Sequence, residues 1–96
     1  MKPSDALEAH RDAVRRVVLA NRATNPRVFG SASRGEDTIM SDLDLLVDPT
    51  DATTLFDIGA IRHELLTLLG VPVDVVTPKA LPAKFREAVV AEAVPV

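Results

Sequence analysis

A chain of 96 residues is long enough for one modest hydrophobic core, so we expect a single domain over residues 1–96. The absence of cysteine excludes disulfides, thiolate metal sites and thiol redox chemistry, and a net charge of −3 argues against a nucleic-acid-binding surface. The only aromatic residues are three phenylalanines, so base-stacking platforms are not expected either. No apolar run approaches the roughly 18 residues that a membrane span needs. We therefore expect a cytoplasmic protein.

The first predicted element is a helix over residues 4–21, with Ser4 as its N-cap and apolar residues at helical spacing. Pro26 ends this helix, because proline also disfavours helical geometry in the residue before it. A short strand at 28–29 follows and enters a tight turn at 30–31.

A loop or short helix is predicted over residues 32–41 and a strand over residues 43–47. A helix with an apolar stripe follows over residues 54–69. The chain then continues with a strand over residues 71–77 and a last helix over residues 82–93. Residues 94–96 are too few for a prediction. Strands that alternate with helices predict an α/β fold, in which helices pack on a small mixed sheet of three or four strands.

The sequence Asp42-Leu43-Asp44 places two carboxylates two residues apart at the start of the second predicted strand. Side chains at that spacing point to the same face, roughly 6–7 Å apart. Paired carboxylate oxygens are ligands that Mg²⁺ prefers, with water and phosphate as the remaining ligands. The alternative is a pair of ordinary acidic residues on a solvated face. That alternative is the weaker one, because like charges repel there and aspartate is depleted in strands.

Asp74 interrupts the apolar third strand, in Val73-Asp74-Val75-Val76. An unpaired buried carboxylate is costly, so either it faces water at a sheet edge or it serves a site. If the third strand lies beside the second, Asp74 joins Asp42 and Asp44 on one face. Three carboxylates suit a site for two metal ions.

Gly30-Ser31 follows the first predicted strand. Glycine allows close approach of the backbone, and consecutive N–H groups with a serine hydroxyl can hold phosphate oxygens. Most Gly-Ser pairs are plain turns, so the interest of this one comes from its position ahead of the acidic pair.

Gly30-Ser31, ten intervening residues and Asp42-x-Asp44 together resemble the signature of the DNA polymerase β-like nucleotidyltransferase superfamily. The fuller stretch GSASRGEDTIMSDLDLLV is similar to the small members called minimal nucleotidyltransferases. The resemblance continues through the helix at 54–69, VPVDVVTP and the final EAVPV. It therefore extends over nearly the whole chain.

The resemblance implies a nucleotidyltransferase fold and a two-metal mechanism. Gly30 and Ser31 would hold the triphosphate of ATP or another nucleoside triphosphate. Asp42 and Asp44 would bind two Mg²⁺ ions, and Asp74 would complete the site at the metal that activates the acceptor. No side-chain nucleophile is required.

Arg34 matches an arginine of the same family. It either contacts phosphate or is an ordinary solvated loop residue. The loop at 36–40 is more acidic than a phosphate-facing loop would prefer, so we expect it to point outward. His10 and His63 fall in predicted helices, and both are interpreted as surface or packing residues.

Minimal nucleotidyltransferases are often antitoxins paired with a HEPN-domain ribonuclease toxin, and some transfer AMP to a tyrosine of that toxin. The resemblance implies the same function here, with the partner supplying the acceptor. Two alternatives stay open: an antitoxin that neutralises by binding alone, and an enzyme that modifies a small molecule. The exposed part of the helix at 54–69 could serve an interface, although a core face is the simpler interpretation.

Overall fold

The structure is a computed structural model that describes all 96 residues. Its helices are α1 (Pro3–Ala9), α2 (Arg11–Ala20), α3 (Leu55–Leu69) and α4 (Ala83–Glu92), and its strands are β1 (Ala23–Phe29), β2 (Leu43–Pro49), β3 (Val73–Val76) and β4 (Val94–Pro95). Two short 3₁₀ turns cover Ser31–Arg34 and Pro78–Ala80. None of the helices has the length and apolar character needed to cross a membrane.

The four strands form one sheet in the order β3-β2-β1-β4. β2 and β3 are parallel, whereas β1 is antiparallel to both β2 and β4. Parallel neighbours need a crossover connection, and α3 supplies it between β2 and β3. The sheet is therefore mixed, and the predicted α/β fold with helices on a small mixed sheet is confirmed.

The hydrophobic core lies between one face of the sheet and helices α1, α2 and α3. Alternate residues of β2 point into it, because side chains of a strand alternate between faces. The fully buried members include Leu43, Leu45 and Val47 from β2, with Ile61 and Leu65 from α3 and Val14 and Val18 from α2. The buried part of the apolar stripe predicted over 54–69 begins after the first turn of α3, because the Leu55 side chain is 88% exposed.

The ends of α3 follow local sequence signals. Thr54 and Asp57 form a capping box: the Thr54 hydroxyl accepts from the Asp57 N–H, and the Asp57 carboxylate accepts from the Thr54 N–H. Gly70 ends the helix in the left-handed conformation, with φ of 68°. The predictions for the third strand and the last helix were correct to within two residues at each end.

The predicted helix over 4–21 is wrong as a single element. The chain forms two helices with a break at His10, and Lys2 occupies the N-cap position of α1 without a side-chain capping bond, with Pro3 in the first turn. Proline is tolerated in the first turn because its missing N–H would have no helical partner there. Ser4 is therefore not the N-cap. The apolar spacing did not reveal the break, because residues on either side of it pack on the same core.

The first strand is also longer than predicted, since β1 begins at Ala23. The stretch around Pro26 forms an irregularity in the pairing with β2, where Asn25 has a φ of 49°. A bulge of this kind accommodates a residue without an N–H. The tail, for which the sequence permitted no prediction, adds β4 to the free edge of β1 and pairs Val94 with Val28.

Candidate active site

Asp44 lies on β2 between the buried Leu43 and Leu45, so its side chain points away from the core to the opposite face of the sheet. It is half-buried. Asp42 is exposed and comes immediately before the first residue of β2, so it stands at the end of the strand and not within it.

Asp74 lies directly beside Asp44. The two are register partners in the parallel pairing of β2 with β3, and neighbouring strands are separated by about 4.8 Å. The Leu43 N–H donates to the Pro72 carbonyl at 2.8 Å, which continues the strand contact toward Asp42. Asp74 is exposed, on the same face as Asp44. The structure thus brings positions 42, 44 and 74 together at one end of the sheet.

The charges of these carboxylates affect one another. Burial raises the pKa of Asp44 above its ordinary value, and the negative charges of Asp74 and Asp42 raise it further. A cation near the three groups would relieve both the repulsion and the cost of burying a charge. The electrostatics therefore suit a divalent cation at this end of the sheet.

No group of three or more histidine, aspartate or glutamate side chains is arranged, as it stands, to hold a metal ion. The three carboxylates are therefore neighbours on an open surface and do not form a closed coordination sphere. Mg²⁺ commonly uses only one or two protein carboxylates and completes its octahedron with water and substrate phosphate. The donor set consequently fits Mg²⁺ that arrives together with a triphosphate.

Gly30 lies against the carboxylate of Asp44. Phe29, at the end of β1, is paired with Asp44 across the sheet, so the chain turns at Gly30 beside that side chain. A Cβ atom on Gly30 would stand 2.5 Å from Oδ2 of Asp44, and the φ of Gly30 is +73°. Both the space and the backbone conformation require glycine here. The turn at 30–31 is thus adjacent to the acidic cluster.

Ser31 begins the short 3₁₀ turn that follows Gly30 and is partly exposed. Ser33 holds this turn together, since its N–H and its hydroxyl both donate to the Gly30 carbonyl, at 3.1 and 2.7 Å. The Ser31 carbonyl accepts from the Glu36 N–H at 2.9 Å. Sequence reasoning did not single out Ser33, because a second serine near a turn is an ordinary loop feature.

Arg34 forms ion pairs with Glu92 at the end of α4 and, at 3.4 Å, with Glu36. The hydrogen bonds that the guanidinium donates to Glu92, and then to Glu36, raise the pKa of Arg34. Contact with phosphate would require Arg34 to exchange these carboxylates for phosphate oxygens. Glu92 is 58 residues away in sequence, so no local pattern could have indicated it.

One residue of the acidic loop at 36–40, Asp37, stabilises the fold. Asp37 is buried, and its carboxylate accepts from the N–H and hydroxyl of Ser4, at 2.8 and 3.0 Å. Burial acts to raise the pKa of Asp37, but these hydrogen bonds and the charge of Lys2 outweigh it, so the pKa is lowered. Asp37 thus points inward, contrary to the expectation, while Glu36 is exposed.

The two histidines lie away from the carboxylates, as expected. His10 is exposed at the junction of α1 and α2, and His63 is exposed on α3. Ser41, just before the acidic pair, completes a turn with Thr38 and has no place among the carboxylates.

The sequence profile of the nucleotidyltransferase domain family matches residues 8–96, and the chain belongs to that family. It is therefore a nucleotidyltransferase, and the family predicted from the sequence is confirmed.

Several relatives resemble the chain along most of its length. A protein of Methanocaldococcus jannaschii named as a putative protein adenylyltransferase is 31% identical over 80 residues, which are 83% of this chain and 86% of that protein. The solved structure of a putative minimal nucleotidyltransferase is 42% identical, covers 97% of this chain and 95% of its own, and superposes with a TM-score of 0.87.

A toxin–antitoxin complex with AMP-PNP shares the fold, with a TM-score of 0.74 at 21% identity, covering 88% of this chain and 69% of that one.

Proposed function

We propose that this protein transfers a nucleoside monophosphate, AMP in the first instance, from a nucleoside triphosphate to a hydroxyl of a partner protein in a Mg²⁺-dependent reaction. The observation that supports this most directly is the register of Asp44 with Asp74 beside Gly30. This register brings three carboxylates and the glycine turn at 30–31 to one end of the sheet.

In this proposal Asp42 and Asp44 hold two Mg²⁺ ions together with the triphosphate, and Asp74 completes the site on the acceptor side. Bound Mg²⁺ would neutralise phosphate charge and orient the reacting groups. The turn at Gly30 and Ser31 holds phosphate oxygens through backbone N–H groups and a hydroxyl. Arg34 is a further phosphate contact if it leaves Glu92.

The reaction joins the acceptor oxygen to the α-phosphorus and breaks the bond to pyrophosphate, which leaves. In this proposal Asp74, which is exposed beside Asp44, would receive the proton that the acceptor hydroxyl loses. Catalysis then depends mainly on positioning and on charge neutralisation.

A protein acceptor is supported by the openness of the site. Asp42 and Asp74 are exposed, and the two cavities of the molecule, of about 380 and 560 Å³, lie along α2 at its junctions with α1 and α3. A small-molecule acceptor would need a binding pocket beside the carboxylates, and a partner protein would have to supply part of it. One relative is named as a putative protein adenylyltransferase and one structure of the same fold is a toxin–antitoxin complex with AMP-PNP, and both support a protein acceptor within a toxin–antitoxin pair. Our proposal goes further: the protein is a cytoplasmic antitoxin, and the acceptor is a tyrosine of a HEPN-family toxin.

The test is to incubate the protein with the protein encoded next to it, ATP and Mg²⁺, and to weigh both by intact mass spectrometry. The partner should gain AMP, and Asp42→Asn combined with Asp44→Asn should abolish the gain. An unchanged partner mass with all four nucleoside triphosphates would contradict transfer to that protein.

The same variant separates catalysis from occlusion. If the partner is a toxin, co-expression with the doubly substituted protein should no longer protect cells. Protection by that variant would indicate an antitoxin that acts by binding alone.

A further inference from the structure

Two large apolar side chains stand in solvent immediately before the acidic pair. Ile39 is 72% exposed and Met40 is 85% exposed. They are the two central residues of a tight turn, which the Ser41 N–H closes by donating to the Thr38 carbonyl at 3.0 Å. Turns normally have glycine, proline, asparagine, aspartate or serine at these positions, so two large apolar residues there are unusual.

The turn is held in a defined shape by its polar ends. The Thr38 N–H donates to the Ser41 hydroxyl at 2.9 Å, and the Met40 N–H donates to the Thr38 hydroxyl at 3.2 Å. The residue before Thr38 is the buried Asp37, which is bonded to Ser4 on α1. Ile39 and Met40 are thus presented on a braced turn. A braced apolar contact loses less conformational freedom on binding than a flexible one.

The position of the turn limits what can cover it. Met40 is two residues from Asp42, so their Cα atoms are at most about 7 Å apart. Any molecule that covers the turn also stands at the edge of the acidic cluster. A second copy of this chain in that place would obstruct the site, whereas an acceptor protein must come there to bring its hydroxyl to the carboxylates.

We propose that Ile39 and Met40 form the docking contact for the acceptor protein, which would present an apolar patch beside the hydroxyl that is modified. This inference rests on the proposed function and specifies how the partner is recognised. The acidic surroundings at Glu36, Asp42 and Asp74 repel anionic surfaces, so a neutral or basic apolar patch fits best.

A matched control is available at the other end of β2. Leu55 and Phe56 are 88% and 90% exposed at the start of α3. They come after β2, whose seven residues carry the chain about 20 Å from Asp42 before the turn that leads into α3. Substitution there removes the same kind of exposed apolar surface without approaching the carboxylates.

The experiment compares wild type, I39S/M40S and L55S/F56S with the protein encoded next to this one as acceptor. For each protein it measures the kcat/KM of AMP transfer and the Kd for binding to the partner. It also measures the affinity for MgATP and the melting temperature. We expect kcat/KM and partner affinity of I39S/M40S to fall about tenfold or more, chiefly through KM, with MgATP affinity and melting temperature unchanged. L55S/F56S should stay within about twofold of wild type.

Equal rates for I39S/M40S and wild type, or equal losses in both variants, would overturn the docking role and leave the proposed transferase intact. Size-exclusion chromatography with light scattering tests for self-association. If wild type and L55S/F56S are dimers and I39S/M40S is a monomer, the turn serves self-association instead. Wild type that neither binds nor labels the partner would overturn the proposed function, and this inference with it.

Discussion

Asp44 is half-buried on the face of β2 away from the core, with Asp74 beside it and Asp42 two residues before it. Its raised pKa results from burial first and from the two neighbouring charges second. The ionised side chain is therefore less favourable in the folded protein than in the unfolded chain, where it is solvated and isolated. Charged side chains that are arranged to bind a ligand commonly lower the stability of the ligand-free protein in this way.

Asp44→Asn should consequently raise the melting temperature of the metal-free protein at pH 7 while reducing transferase activity at least about 100-fold. The stabilisation should diminish as the pH falls through the raised pKa, because wild-type Asp44 then becomes neutral as well. Circular dichroism melting in EDTA measures the first effect. Asp51→Asn, at an exposed turn, is the control and should change neither quantity. A lower melting temperature for Asp44→Asn would contradict this account.

Gly30→Ala tests the close approach of the turn to Asp44. Alanine at a φ of +73° and a ψ of −155° would stand in a backbone region used essentially by glycine alone, at a cost of about 1–3 kcal/mol, and the new Cβ would additionally have to displace Oδ2 of Asp44. Gly35→Ala is the control for adding a methyl group to another glycine of positive φ: Gly35 is in the left-handed conformation, where alanine is less strained, and nothing lies within 4 Å of its added Cβ. Urea unfolding should show a larger loss for Gly30→Ala, and only that variant should lose most activity. Equal effects would show that Asp44 has room to move.

At the scale of elements, α3 is held at its first turn by side chains from two parts of the chain. Asp57 accepts hydrogen bonds from the Thr54 N–H and from the guanidinium of Arg22, which lies between α2 and β1. The Arg22 hydrogen bond is the largest cause of the lowered pKa of Asp57, which is about 2. This contact attaches the crossover helix to the segment that leads into the central strands.

The lowered pKa of Asp57 predicts an acid-sensitive contribution to stability. A carboxylate whose folded pKa is depressed stabilises the protein above the unfolded pKa of about 3.9, and the contribution is lost as the pH falls toward about 2. Between pH 4 and pH 2 the free energy of unfolding should therefore fall less steeply for Asp57→Asn than for wild type. Urea titrations at several pH values measure this. Parallel curves would exclude Asp57 as the titrating group.

At the scale of the whole molecule, helices α1, α2 and α3 cover one face of the sheet and the acidic cluster lies at one end of the other face. The net charge of −3 includes this cluster. Ligands that bind only the folded state stabilise it by mass action, by about 2.7 kcal/mol at 100 times Kd. A bound cation and nucleotide should therefore be visible in the stability of the entire fold.

Mg²⁺ with a non-hydrolysable ATP analogue, each far above its Kd, should raise the melting temperature by on the order of 10 °C. The analogue with EDTA should have a much smaller effect, because the phosphates would then face uncompensated carboxylates. Asp42→Asn combined with Asp44→Asn should remove the response. An equal shift in that variant would place the nucleotide elsewhere on the molecule.

The sequence determined the features that depend on neighbouring residues. The ends of α3 follow from the capping box at Thr54 and from Gly70, and the alternation in β2 follows from its period of two. The motif residues at 30–31, 42 and 44 were likewise visible as a pattern of fixed spacing. Such features are local, because they depend only on the backbone conformation and polarity of residues that are close together in the sequence.

The tertiary structure decided the contacts between distant segments. It split the first helix at His10, added β4 to the edge of β1, and paired Arg34 with Glu92 and Asp37 with Ser4. It also determined that β3 lies beside β2, which brings Asp74 next to Asp44. From the sequence alone, this proximity followed only if those two strands were neighbours. Partners of this kind depend on which strands become neighbours, and that depends on packing the whole core, which no local pattern encodes.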